Sequence, residues 1–156
     1  MKIIGSLIII FSSVMIANSM NKKIDRSISS VSALRVLFEH TKNMIECYSL
    51  PASEILHRLD SSCFFSLGYL KDELPRDFFE LEKHSQIEDT EAREMLMAFS
   101  KDFGKSYRAD ELLRCSLFVE RARAREQKLI KDAIKRKKVN LTVAICSALS
   151  IITLIA

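Results

Sequence analysis

Apolar positions in this chain follow two patterns. At the ends they are continuous: Ile3–Met20 and Val139–Ala156 contain no charged residue. Between the ends they recur at steps of three and four, the period of an amphipathic helix. An uncharged helix of 18 residues is about 27 Å long, close to the hydrocarbon thickness of a bilayer. Each terminal run has that length, so each is expected to be a membrane span. The second run is the more polar, with Asn140, Thr142, Ser147, Ser150 and Thr153. Hydroxyls that bond back to helix carbonyls cost little in lipid and can mark a helix-packing face.

The middle of the chain predicts six helical segments. Ile28, Val31, Leu34, Phe38, Thr41, Ile45 and Tyr48 form one stripe over residues 27–48. No Gly or Pro separates this helix from the first uncharged run, so the two are expected to be continuous. Ser49-Leu50-Pro51 breaks it, and Pro51 suits the first turn of a second helix, where a missing N–H costs nothing. That helix turns Ile55, Leu56 and Leu59 inward. Asp60, Ser61 and Ser62 supply caps for a third helix carrying Phe64, Phe65, Leu67 and Leu70. Pro75 is expected to open a fourth, with Phe78, Phe79 and Leu81. Asp89 or Thr90 caps a fifth, whose stripe is Ala92, Met95, Leu96, Phe99 and Phe103, and Gly104 fits the left-handed position after its end. The last helix begins near Arg108 and runs unbroken into the second uncharged run. Short loops favour antiparallel neighbours, so the expected fold is all-α, a six-helix antiparallel bundle (21–138) between two transmembrane helices (1–20 and 139–156).

Charge sets the expected topology. Lys22, Lys23 and Arg26 follow the first run, and Lys128, Lys131, Lys135, Arg136, Lys137 and Lys138 precede the second. Both clusters face the central segment, which places it in the cytoplasm and both termini outside. The competing reading, a leader cleaved near Ala17-Asn18-Ser19, is disfavoured because only Lys2 precedes the apolar stretch, whereas Lys22, Lys23 and Arg26 follow it. The net charge of +4 hides an asymmetry. Residues 121–138 hold nine basic and two acidic side chains, whereas residues 27–120 hold eleven basic and seventeen acidic. A basic stem beside a bilayer meets anionic lipid headgroups. It lacks the interleaved aromatics of a nucleic-acid surface, and no nucleic-acid partner is expected.

Catalytic chemistry is hard to find. Cys47, Cys63, Cys115 and Cys146 lack metal-ligand or redox spacing, and small buried hydrophobes are the expected role of the thiols. His40, His57 and His84 form no ligand pair. There is no phosphate-binding loop, dinucleotide fingerprint or nucleophile elbow, and the uncharged runs lack the ionisable residues of intramembrane enzymes. No enzyme activity, cofactor, metal or small-molecule substrate is expected. What remains are two helix junctions. One holds Glu46, Tyr48 and Pro51; the other holds Gly104, Lys105 and Ser106. Each is explained by helix-boundary chemistry alone, yet exposed junctions often carry binding. Glu91 and Glu94, in the first turn of the fifth helix, complement its dipole and also offer an acidic surface to a basic partner.

The layout resembles stage III sporulation protein AB of endospore-forming bacteria. The likeness rests on a Met-Lys-apolar start and a basic turn, then Ala33-Leu34-Arg35 and Ile45-Glu46-x-Tyr48 on a long helix, with Pro51 after it. It continues through Gly104-Lys105-Ser106, a long charged helix, a basic patch and an uncharged C-terminal run. Family members often carry Gly near the position of Ser49. The resemblance implies a bundle similar to the F platform protein of type II secretion machines. It implies a non-catalytic platform of a secretion-like complex in endospore formation, in the cell membrane on the mother-cell side. The implied partners are a cytoplasmic secretion-type ATPase and membrane proteins of the same complex. A membrane-anchored regulator or receptor for another cytoplasmic protein is the alternative.

Overall fold

In a computed structural model the backbone is described for residues 2–155, and side chains for 11–147, 149–151 and 153. The described residues form six helices and no strands. They are α1 (Lys2–Tyr48), α2 (Ala52–His57), α3 (Ser61–Ser66), α4 (Phe78–His84), α5 (Thr90–Asp102) and α6 (Arg108–Ile155). The chain divides into two units, Met1–Asp25 with Leu129–Ala156, and Arg26–Lys128. α1 and α6 contribute to both.

In the unit Arg26–Lys128, local chemistry sets the helix ends. Asp60 accepts from Ser62 N at 2.9 Å, Asp77 from Glu80 N at 2.7 Å and Asp89 from Ala92 N at 3.0 Å. Each carboxylate takes up an N–H that the first helical turn leaves without a partner. Asp77, and not Pro75, therefore opens α4; Pro75 is buried ahead of it. Pro51 stands one place before α2, at its N-cap, with ψ 159°. α3 stops at Ser66 because Gly68, at φ +70°, turns the chain. Gly104, at φ +78°, follows α5 as its spacing predicts. Ser49 adopts φ +52° after α1, a left-handed conformation that costs a side-chain-bearing residue about 1–2 kcal/mol.

The core of this unit is aromatic at its centre. Phe99 of α5 lies 4.6 Å from Phe38 of α1, 5.1 Å from Phe78 of α4, 5.4 Å from Phe103 and 5.4 Å from Phe118 of α6 (ring centroids). Leu34, Leu37, Ile55, Leu56, Leu81, Met95 and Leu96 are buried around it. Tyr48, Phe65, Leu70 and Phe79, expected on the inner faces, are exposed instead. Phe65 and Phe79 each follow a buried Phe, one position further round the helix and outside the face that packs here. Tyr48 sits on the last residue of α1, where the stripe has run past its partners. Polar links join the helices. Arg35 bonds Glu126 at 2.8 Å, Arg123 reaches Glu39 at 3.4 Å, and these pairs run α1 and α6 antiparallel here. His40 Nε2 bonds Ile55 O at 3.1 Å, and Asp89 is clamped by two bonds from Arg125, at 3.1 and 2.7 Å. Cys63 and Cys115 are buried, their thiols pushed up to about 12 by burial, whereas Cys47 and Cys146 are exposed.

The other unit reverses the usual distribution. Ala17 and Ala133 are buried, while Phe11, Ile16, Met20, Val139, Val143 and Leu149 are exposed. Asn140 donates to Asn21 at 3.2 Å, and Lys137 pairs with Asp25 at 2.6 Å. The two expected spans lie partly outside the described side chains. Among the described residues no helix is long and apolar enough to cross a membrane.

The positive φ angles generate a paired expectation. Ser49→Gly should stabilise the protein by about 1 kcal/mol, because glycine adopts this conformation without strain. Gly68→Ala should destabilise it by more than Gly104→Ala. A Cβ at Gly68 would lie 2.9 Å from Gln86 O, whereas one at Gly104 meets nothing within 4 Å. Urea unfolding followed by circular dichroism ranks the three.

Candidate functional site

The two junctions singled out by sequence, more than fifty residues apart, meet in one cleft. α1 ends where Ser49 N bonds Ile45 O, and α2 begins where Ile55 N bonds Pro51 O. Facing this corner is the turn from α5 into α6. Arg108 joins the two by donating to Glu46 O. The cleft between them has a volume of about 420 Å³, and its walls include Ile45, Leu50, Pro51, Phe103, Arg108 and Glu111.

Glu111 organises the second junction. It stands in the first turn of α6 and is only 5% exposed. Its Oε1 accepts from Gly104 N at 3.1 Å, Ser106 N at 3.3 Å and Arg114 Nη1 at 3.3 Å. Arg114 also donates to Asp102 O and to Ser106 Oγ. One carboxylate oxygen thus gathers the turn's N–H groups, and one guanidinium ties both of its ends. The second oxygen, Glu111 Oε2, is buried without a hydrogen-bond partner. A buried polar atom left unpaired costs about 1–3 kcal/mol, so native structures keep few of them.

Pro51, Gly104 and Ser106 line this cleft. Glu46 contributes its carbonyl to the Arg108 bond while its residue is exposed. Tyr48 is exposed, with the Arg58 guanidinium 5.7 Å from its ring centroid. Lys105 is exposed on the turn. Glu91 and Glu94 belong elsewhere: Glu91 pairs with Arg125 at 2.7 Å beside Asp89, and Glu94 is exposed on α5. Sequence reasoning missed Glu111, Arg108 and Arg114. Asp110 and Glu111 both read as acids complementing a helix N-terminus, and nothing local distinguishes the one that folds back under the turn. Among the described residues no group of three or more His, Cys, Asp or Glu could hold a metal ion.

Compared with known families, residues 2–156 match the family described as stage III sporulation protein AB. No curated protein and no solved structure matches the chain.

Two expectations follow from the carboxylates. Glu111→Ala should cost about 1–3 kcal/mol, since two turn N–H groups lose their acceptor, whereas Glu111→Gln keeps an acceptor oxygen and should cost less; urea unfolding compares them. For Asp89, burial raises the carboxyl's pKa, but hydrogen bonds from Arg125 and Ala92 N, with the Arg125 charge, bring it below its ordinary 3.8. A lowered folded-state pKa contributes stability that is fully present above the ordinary value and is lost as pH falls from there through the folded-state value. Asp89→Asn keeps a capping oxygen but removes the charge. It should destabilise by about 1.5–3 kcal/mol at pH 7, with the gap narrowing below about pH 3.8 in unfolding curves taken across the acid range.

Proposed function

Since the chain belongs to the stage III sporulation protein AB family, we propose that it is a non-catalytic membrane platform in endospore formation, whose helical unit docks a cytoplasmic secretion-type ATPase. The observation that carries this reading is the cleft. Anchor side chains of a protein partner fill pockets near the centre of an interface, and here two helix junctions form such a pocket. The turn on one side is held by Glu111 and Arg114, so docking would order little new backbone. The exposed Glu94 on α5 offers a second, acidic contact at which charge would speed encounter.

The apolar ends supply the membrane part of the proposal. Large apolar side chains point outward in the terminal unit and small ones are buried, the distribution expected where lipid is the solvent. The basic residues flanking the uncharged runs favour a cytoplasmic helical unit, with anionic headgroups against Lys135–Lys138, and family membership favours the mother-cell side. α1 and α6 each run without a break, a continuous path from the docking unit toward membrane partners of the same complex.

Photo-crosslinkers placed at Pro51 and Lys105 in sporulating cells should capture a secretion-type ATPase, and a crosslinker at Phe79 should not. Capture of no ATPase from either junction position would remove the docking reading. A reporter fused at Lys83 should read cytoplasmic; a reading outside the cell would overturn the topology.

A further inference from the structure

A second cavity, of about 530 Å³, lies within the unit Arg26–Lys128. Arg26 of α1 lines it, α3 and the loop after it supply Phe65, Leu70 and Asp72, and Glu88 stands ahead of α5. Two bonds fix these segments to one another. Ser30 Oγ donates to Ser66 O at 3.0 Å, and Gln86 N donates to Gly68 O at 3.1 Å.

Phe65 is 85% exposed and Leu70 is 69% exposed. Single apolar side chains on a surface need no explanation. Two of them on one cavity, among charges of both signs, call for one. Arg26, Asp72 and Glu88 are exposed, and none of the three forms an ion pair among the described residues. Lys71, by contrast, is taken up by Glu80 at 2.7 Å. The cavity therefore offers one cation and two carboxylates that do not satisfy each other.

Position in the chain selects the occupant. Arg26 stands six residues after Met20, where the first uncharged run ends. Six residues of helix rise about 9 Å, and the headgroup layer on each side of the hydrocarbon is about 5–7 Å thick. The long stem of an arginine at that distance can carry its charge to a lipid phosphate. A purely anionic headgroup would be drawn to Arg26 and repelled by Asp72 and Glu88. A headgroup with both a phosphate and an ammonium suits all three, since the guanidinium meets the phosphate and the carboxylates meet the amine, through charge-assisted hydrogen bonds. Exposed apolar side chains beside such a site settle at the boundary of headgroups and acyl chains.

We propose that this cavity holds the headgroup of a zwitterionic, amine-bearing phospholipid, with Phe65 and Leu70 set into the bilayer interface beside it. The proposal rests on the membrane reading above and adds an attachment to the bilayer besides the two uncharged runs.

The chain contains no tryptophan, so Phe65→Trp gives the full chain a single indole. In bilayers of phosphatidylethanolamine and phosphatidylglycerol, that indole should be blue-shifted and quenched by lipids brominated on the acyl chain. The indole of Tyr107→Trp, at a position 87% exposed ahead of α6, should be neither. Native mass spectrometry of the unsubstituted chain should show phosphatidylethanolamine retained over phosphatidylglycerol. Asp72→Asn combined with Glu88→Gln should lower that preference at least about tenfold, with the helical circular dichroism unchanged. Attraction to anionic lipid alone predicts instead that the double variant gains phosphatidylglycerol. If that variant fails to fold, Arg26→Gln should reduce retention of both lipids. An unquenched indole at position 65 would overturn the proposal in favour of a protein covering this surface. Equal retention of the two lipids, or retention indifferent to the variants, would also overturn it. A chain that resists alkaline extraction from these bilayers yet fails these tests leaves the membrane reading standing, whereas a chain that is extracted loses both.

Discussion

Phe99 is fixed on four sides. Its ring meets Phe38, Phe78, Phe103 and Phe118, so α1, α4, α5 and α6 converge on one side chain. Aromatic pairs at these separations contribute about 0.5–1.5 kcal/mol each beyond the area they bury. The larger consequence is positional. Phe103 belongs to this cluster, 4.5 Å from Phe78, and also forms a wall of the cleft. Ile45, another wall, is buried on α1 one turn beyond Thr41. The cleft is therefore built on the core, and its shape follows from ring packing.

Polar links then fix the register of the surrounding elements. Ser30 donates to Ser66 O at 3.0 Å, His40 bonds Ile55 O, and Cys63 Sγ donates to Ala33 O at 3.3 Å. These bonds hold the short α2 and α3 to α1, since a six-residue helix has too few internal bonds to persist alone. The Asp89–Arg125 clamp does the same for the start of α5 against α6. Being nearly buried at both ends, it counts for more than exposed pairs such as Arg58–Glu54, whose geometry water and salt largely screen.

Rigidity around an unfilled acceptor gives the site its character. Glu111 and Arg114 hold a turn that glycine alone would leave mobile, yet one carboxylate oxygen remains unpaired beside an apolar cavity.

Helix existence, helix ends and family were legible in the sequence because their signals are local. Asp60 and Asp89 cap the next turn, Gly104 ends α5, and the stripe through Leu34 and Phe38 needs only the helical period. The unbroken runs of α1 and α6 agree with the absence of Gly and Pro from α6 and from α1 beyond Gly5. Other features depend on which neighbour arrives. Phe65 and Phe79 look as apolar as Phe64 and Phe78, and only packing chose between them. Pro75 and Asp77 are both opening signals, decided by where Glu80 N points. The meeting of Ser49–Pro51 with Gly104–Ser106, and the choice of Glu111 over Asp110 to hold the turn, lie beyond any local pattern. Capping and periodicity act within a turn or two of helix, whereas the cleft arises from side chains more than fifty residues apart, brought together by the burial of one aromatic core.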